Sequence, residues 1–317
     1  MKSEIKSLPP EFIERLRGIL PPGKFDAVAN TFAGPKPTTF RVNSLKTTPG
    51  KIQETLEQHS FRIEKVPWCH GAFVLKDGDL RGLQAMDCYR NGEIYVQSLS
   101  SMIPPLVLDP QPGETILDMT AAPGSKTTQM AALMKGLGRI VANDNNRTRF
   151  FKLKANVEMQ GATNVELSLR YGETFGRRQP DAYDRILLDA PCSAEGRFDT
   201  REPASFRYWK PAKVKEMARK QKVLLASGIH ALKPGGVLVY STCTFAPEEN
   251  EGVLDWALGK YEEIISIEKI NLPLLNVMSG IRQWRDTAFH PFVQLGVRIL
   301  PDPGMEGFFF AKIRKKS

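Results

Sequence analysis

Cysteine and histidine are scarce in this chain, and it has no long apolar run. Its 317 residues include four cysteines (Cys69, Cys88, Cys192, Cys243) and four histidines (His59, His70, His230, His290). The cysteines show neither Cys-x-x-Cys spacing nor a Cys/His zinc pattern, and no His-Glu-x-x-His pair occurs, so no metal site is expected. Trp68-Cys69-His70 sets a thiol beside an imidazole without a second ligand pair. So few thiols exclude a disulfide-stapled fold and suit a reducing compartment. No stretch approaches the roughly 20 apolar residues that span a bilayer. The opening residues carry acids and prolines where a signal peptide needs an apolar stretch. A cytoplasmic protein with no membrane partner is expected.

What is present describes a core-forming protein. Hydrophobic residues make up 41% and charged residues 25%, which excludes a disordered or collagen-like chain. Lys and Arg number 44 against 35 Asp and Glu, a net charge of +9. A basic balance favours polyanionic partners, nucleic acid above all, although an ordinary basic enzyme surface gives the same total.

The chain has no internal repeat, and its length suits two domains. The first hundred residues are dense in proline turns, with one amphipathic stretch at 10–20 and short apolar runs at 39–42 and 72–75. These read as a small α+β module over residues 1–94. After Asp109-Pro-Gln-Pro-Gly113 the rhythm changes. Strand-like runs at 115–119, 139–142, 185–188 and 236–240 alternate with helical patterns at 127–134, 147–160 and 213–232, the last closed by Lys233-Pro-Gly-Gly. Continuous apolar strands between helices predict a doubly wound α/β domain over 95–317, its parallel sheet covered on both faces.

Ligands in such sheets bind beyond the carboxyl ends of the strands. The first strand ends in Thr120-Ala121-Ala122-Pro123-Gly124-Ser125-Lys126. Its small residues allow a sharp turn and close approach of a ligand; a plain strand-to-helix connection is the alternative. The pattern is neither Gly-x-Gly-x-x-Gly nor a Walker A loop, so a dinucleotide or a triphosphate is disfavoured. The second strand ends at Asp144, placed to bind ribose hydroxyls, to cap the helix that follows, or to do both. Together these features predict an adenosine-type ligand without pyrophosphate, which S-adenosylmethionine fits.

The next two strand ends carry reactive groups. Arg185-Ile-Leu-Leu-Asp189-Ala-Pro-Cys192 delivers an acid and a thiol, and Gly236-Val-Leu-Val-Tyr-Ser-Thr-Cys243 delivers a second thiol. A buried structural cysteine is the ordinary explanation for any one of them. If the two strands are neighbours, Asp189, Cys192 and Cys243 share one cleft. Carbon 5 of a pyrimidine is too weakly nucleophilic to take a methyl group unaided, and a thiolate adding to carbon 6 makes it enamine-like. Asp189 is the acid expected to offset charge at ring nitrogen 3. The constellation suits cytosine methylation.

The runs Leu117-Asp-Met-Thr-Ala-Ala-Pro-Gly-Ser-Lys-Thr, Leu188-Asp-Ala-Pro-Cys-Ser and Tyr240-Ser-Thr-Cys-Thr, followed by Glu248-Glu-Asn, resemble the Fmu/Sun family of RNA cytosine-5 methyltransferases, with the flavour of the bacterial small-subunit rRNA type F. Phe40-Arg-Val-Asn-Ser-Leu-Lys, Tyr95-Val-Gln-Ser-Leu-Ser-Ser-Met and Gly307-Phe-Phe-Phe-Ala-Lys extend the likeness over nearly the whole chain. The resemblance implies a Rossmann-like S-adenosylmethionine-dependent methyltransferase sheet preceded by an RNA-recognition-like module. It implies that Cys243 attacks the base, that Cys192 assists release, and that Asp189 lines both base and cofactor sites. Cofactor contacts carry over to Thr120, Ala121, Ala122, Pro123, Gly124, Ser125, Lys126 and Asp144. DNA cytosine methyltransferases attack with the thiol of their Pro-Cys motif, so Cys192 remains a rival for that role. The chain departs from the family at Tyr171, where an acid is usual and Glu173 is the nearby substitute, and at Ala194, where glycine is common. The longer bacterial members continue into a further RNA-binding domain, and this chain is expected to stop near the end of the catalytic one.

Residues 200–222 hold eight basic groups against two acids, a net +6 of the total +9, interleaved with Phe206, Tyr208 and Trp209. Basic groups hold phosphates and aromatics stack on unpaired bases, so an RNA track is expected here; a solvated helix with an aromatic anchor is the alternative. The expected protein is a monomeric RNA cytosine-5 methyltransferase, acting on rRNA before tRNA. A non-catalytic RNA-binding or assembly factor is the rival of another class. An exocyclic-amine methyltransferase would carry [DN]PP[YF] where this chain has Ala190-Pro-Cys.

Overall fold

A computed structural model describes residues 5–273 and 276–317; residues 1–4, on which the reading of the amino-terminal segment begins, lie outside them. The described chain divides into two compact units. One comprises Pro37–Asp189 and Ser227–Leu238, the other Met1–Lys36, Ala190–Ala226 and Val239–Ser317.

The first of these opens with four strands, β1 (Thr39–Val42), β2 (Arg62–Lys65), β3 (Ala72–Asp77) and β4 (Ile94–Val96), in the order β2-β3-β1-β4. The β2–β3, β3–β1 and β1–β4 pairings are antiparallel. Phe40 stands opposite Phe73, and their stacked rings lie 5.5 Å apart. Ile52 and Leu56, one turn apart on helix Pro49–Gln58, close a core with Val42, Leu83 and Ile94. The small α+β module expected from the proline-rich segment is therefore an antiparallel sheet with helices.

Next come β5 (Thr115–Asp118), β6 (Arg139–Asn143), β7 (Val165–Ser168) and β8 (Tyr183–Asp189), with β9 (Leu232–Thr242) beside β8 in the order β9-β8-β5-β6-β7. The β8–β5, β5–β6 and β6–β7 pairings are parallel. Ile116, Leu117, Ile186, Leu187 and Leu188 are fully buried, the burial that continuous apolar runs require when both faces of a sheet are covered. Helix Arg147–Gln160 has the bounds expected from its pattern. Asn146 caps its first turn by accepting from the Arg149 amide, and Gly161 ends it in the left-handed region at φ 66°. The Lys233-Pro-Gly-Gly stop needs correction in one respect: the helix Pro211–Ala231 ends there, but β9 starts at once at Leu232 instead of after a loop. Gly235, inside this strand, has φ 75°, a conformation that favours glycine.

The other unit contains the helix Pro10–Ile19, whose Phe12, Leu16 and Ile19 form one buried face. They pack with Leu8, Val28, Phe32, Phe198 and Phe245. Its strands are the end of β9 together with β10 (Ile265–Glu268), β11 (Val277–Ser279), the hairpin β12 (Gln283–Trp284) and β13 (Thr287–Ala288), β14 (Val297–Ile299) and β15 (Phe308–Lys315). Their order is β11-β14-β15-β9, with β10 on β15. The closing Phe308-Phe-Phe-Ala run is buried throughout. No helix among the described residues is long and apolar enough to cross a membrane, and no group of three or more metal-ligating side chains occurs among them.

Candidate active site

Within the unit holding β5 to β8, the loop after β5 is built to keep its backbone open. Gly124 adopts φ 108°, a left-handed backbone that favours glycine, and a Cβ there would press on Leu153 Cδ1 at 3.1 Å. Side chains from helix Arg147–Gln160 hold the loop carbonyls: Arg149 Nη2 donates to Ala122 O at 2.7 Å and Asn156 Nδ2 to Pro123 O at 2.8 Å. The amide of Ala121 donates to Asn143 O at 2.7 Å.

Asp144 is buried at the end of β6, its Oδ2 3.3 Å from Arg149 Nη2. The helix cap is Asn146, and Asp144 Oδ1 accepts from the Asn146 amide at 2.9 Å; the capping alternative raised for Asp144 does not apply. Lys126 Nζ lies 2.7 Å from Asp189 Oδ2 and 2.8 Å from Ser101 Oγ, and Thr120 Oγ1 donates to Asp189 O at 2.8 Å. Thus Thr120, Lys126 and Asp189 are brought together.

Two residues of this unit escaped the sequence reading. Asp118 is fully buried and pushed up to about 7 by that burial, with Thr127 Oγ1 donating to it at 2.7 Å. Arg41, in the Phe40-Arg-Val-Asn run, is also buried; it donates to Gln97 Oε1 at 2.9 Å, Thr128 Oγ1 at 2.7 Å and Ser125 O at 3.1 Å, and so fixes the start of the helix Ser125–Leu133. Desolvation lowers its guanidinium to about 10. Tyr171, just before the short turn Gly172–Thr174, and Glu173 within it are both exposed.

Within the other unit, the two thiols meet. Cys192 Sγ and Cys243 Sγ are 3.4 Å apart, both half-buried, whereas Cys69 and Cys88 are buried elsewhere. The Ala190 amide donates to Ser241 O at 2.8 Å, Ser193 Oγ lies 2.7 Å from Thr244 Oγ1, and the Gly196 amide donates to Cys243 O at 2.9 Å. A Cβ on Gly196 would stand 2.1 Å from Gly307 O, so only glycine passes between these loops. Ala194 occupies the left-handed region at φ 58°, a conformation that glycine adopts without a steric cost. The Cys192 thiol is raised well above its ordinary value, first by its hydrogen bond with Cys243 and then by burial.

Buried carboxylates surround the pair. Glu195 accepts from Trp209 Nε1, Thr244 Oγ1 and the Phe245 amide; Glu249 accepts from the Ser193 amide and Gln221 Nε2. The quoted Glu248-Glu-Asn run was the only sequence signal for Glu249. Burial pushes Glu249 up to about 8. An acid that keeps its proton in the folded state up to about pH 8, yet loses it near its ordinary value when unfolded, removes stability as pH rises through that window. Glu249→Gln cannot ionise. Its melting temperature relative to the parent should therefore be higher at pH 8 than at pH 5; a difference independent of pH would refute this.

The segment 200–222 corrects one expectation. Phe206 and Trp209 pack against the helix Pro10–Ile19 cluster, because Trp209 has a buried acceptor in Glu195 and Phe206 lies against Phe198. Tyr208 alone of the three is exposed, at 78%, with Arg207 5.5 Å from its ring. Arg201, Arg207, Lys210, Lys215, Arg219 and Lys220 are also exposed, with Arg201 paired to Asp199 and Lys220 to Glu216.

Residues 105–314 match the family model described as 16S rRNA methyltransferase RsmB/F, and residues 8–99 match the N-terminal domain of 16S rRNA methyltransferase RsmF. The chain is 41% identical over 317 residues to the tRNA (cytosine(49)-C(5))-methyltransferase of Pyrococcus abyssi, covering 99% of this chain and 98% of that protein. It is 38% identical to the ribosomal RNA small subunit methyltransferase F of Serratia proteamaculans, covering 97% of this chain but only 63% of that protein. The crystal structure of a methyltransferase homolog protein from Pyrococcus horikoshii superposes with a TM-score of 0.85 at 32% identity, covering 99% of each chain. The resemblance read from the motifs is borne out: the chain belongs to the 16S rRNA methyltransferase RsmB/F family.

Proposed function

We propose that the chain transfers a methyl group from S-adenosylmethionine to carbon 5 of a cytosine in RNA through a cysteine–cytosine bond. The observation that carries this reading is the 3.4 Å approach of Cys192 and Cys243. Methyl transfer to an oxygen or an exocyclic nitrogen has no use for a thiol pair, whereas carbon 5 needs a thiolate at carbon 6. Cys243 forms the bond to carbon 6, and Asp189 offsets charge at ring nitrogen 3. Cys192, 3.4 Å from Cys243 Sγ, assists release of the product.

The donor set fits the cofactor: Asp144 is a buried acid for ribose hydroxyls, and Gly124 keeps the loop backbone bare. Thr120 to Lys126, Asp144 and Asp189 would hold it. When bound, it supplies an electrophilic methyl group on a sulfonium. The exposed basic face around Tyr208 takes phosphates and an unpaired base, and the target cytosine is turned out of its stack. Residues 1–94 act as an RNA-binding module and 95–317 as the catalytic domain of a cytoplasmic monomer.

The substrate is rRNA in the first reading. tRNA is the second, favoured by the tRNA-modifying relative matched along its whole length. Bisulfite sequencing of total RNA with and without the gene should lose one cytosine signal, in rRNA or in tRNA. Unchanged signals throughout would leave the non-catalytic RNA-binding reading in its place.

A further inference from the structure

The loops that carry the two thiols hold each other reciprocally. Glu195, three residues beyond Cys192, accepts from Thr244 Oγ1 at 2.9 Å and from the Phe245 amide at 3.1 Å, the residues that follow Cys243. Glu249, six residues beyond Cys243, accepts from the amide of Ser193, next to Cys192, at 3.0 Å. Gln221 Nε2 donates to Glu249 Oε2 at 2.7 Å and to Pro191 O at 2.9 Å, so the residues on both sides of Cys192 are tied to Glu249. We propose that Glu195 and Glu249 form a clasp that sets the separation of the Cys192 and Cys243 sulfurs. They are positioning residues, and the division of attack and release between the thiols rests on the function proposed above.

The energetics favour placement over stability as the reason for these acids. Glu195 is 1% and Glu249 0% exposed, and burying carboxylates among neutral donors is costly, so both are pushed up from their ordinary values by desolvation. Apolar side chains would fill the same volume more favourably, but none can accept from an amide on the facing loop. The clasp is asymmetric in its acceptors. Both oxygens of Glu195 accept, Oε1 from Trp209 Nε1 at 2.9 Å. Glu249 uses Oε2 alone, and among the described residues its buried Oε1 has no partner. A glutamine at 249 can present its one carbonyl oxygen to both donors; at 195 its amide group must face a donor.

Closure of the Cys192–Cys243 disulfide by diamide reads the separation without any RNA. Each thiol gives up a proton and an electron, the azo bond of the reagent takes both pairs to become a hydrazine, and one S–S bond forms. Peptide mass mapping separates this pair from Cys69 and Cys88. The parent and Glu249→Gln should close at the same rate. Glu249→Ala, Glu195→Ala and Glu195→Gln should close about 10- to 100-fold more slowly, the effect expected of a misplacement near 1 Å. If an alanine variant fails to fold, Gln221→Met removes the Gln221 ties to Glu249 and Pro191, Thr244→Val removes the Thr244 tie to Glu195, and each should slow closure in the same direction to a smaller extent. Parent-like closure in all of these, or equal slowing in Glu249→Gln and Glu249→Ala, would overturn the clasp. A separate arm offers RNA containing 5-fluorocytosine: no adduct with the parent protein sinks the proposed function and leaves the closure rates to judge the clasp alone.

Discussion

Cys243→Ala is expected to abolish both methyl transfer and covalent RNA adducts, a loss of about four orders of magnitude or more, while Cys192→Ala should accumulate adducts that survive a denaturing gel. The removed thiol in the first variant is the one that bonds to carbon 6, and without that bond carbon 5 remains unreactive. In the second variant attack proceeds but release does not. Adducts from Cys243→Ala and none from Cys192→Ala would exchange the two roles.

Glu251→Ala should lower stability by about 3–5 kcal/mol, read by urea unfolding, and the melting temperature by roughly 10 °C. Glu251 is fully buried at the start of helix Glu251–Tyr261 and Arg298 on β14 is 3% exposed. Arg298 Nε donates to Glu251 Oε1 at 2.7 Å, Nη2 donates to Oε2, and Nη1 donates to Phe245 O at 2.8 Å. Removing one partner leaves an uncompensated charge in the interior. The double variant Glu251→Leu with Arg298→Met leaves none and should recover most of the loss. A mild effect of Glu251→Ala alone would mean that water reaches the guanidinium.

Much of the fold was readable where local pattern and burial coincide. The runs Ile116-Leu117 and Ile186-Leu187-Leu188 are continuous because both faces of their strands are covered, and helix Arg147–Gln160 announces itself by its period and its Asn146 cap. β7 was not read: Val165-Glu-Leu-Ser is short, alternating and only partly buried at a sheet edge. Residues 200–222 were read as a single basic and aromatic track, yet Phe206 and Trp209 are core anchors and Tyr208 is not. Composition counts an aromatic ring without saying which side of the chain faces the interior.

The candidate site divides in the same way. The proposed site residues Asp144, Asp189, Cys192 and Cys243 stand out in the sequence because each lies at or just beyond the end of an apolar strand. What only the tertiary structure decided is the 3.4 Å between the sulfurs, the burial of Asp118, Glu195 and Glu249, and the glycine at 196 squeezed against Gly307. Period and turn chemistry are properties of neighbouring residues. The distance between two thiols 51 residues apart is set by hydrogen bonds and packing among loops that meet only once the chain has folded.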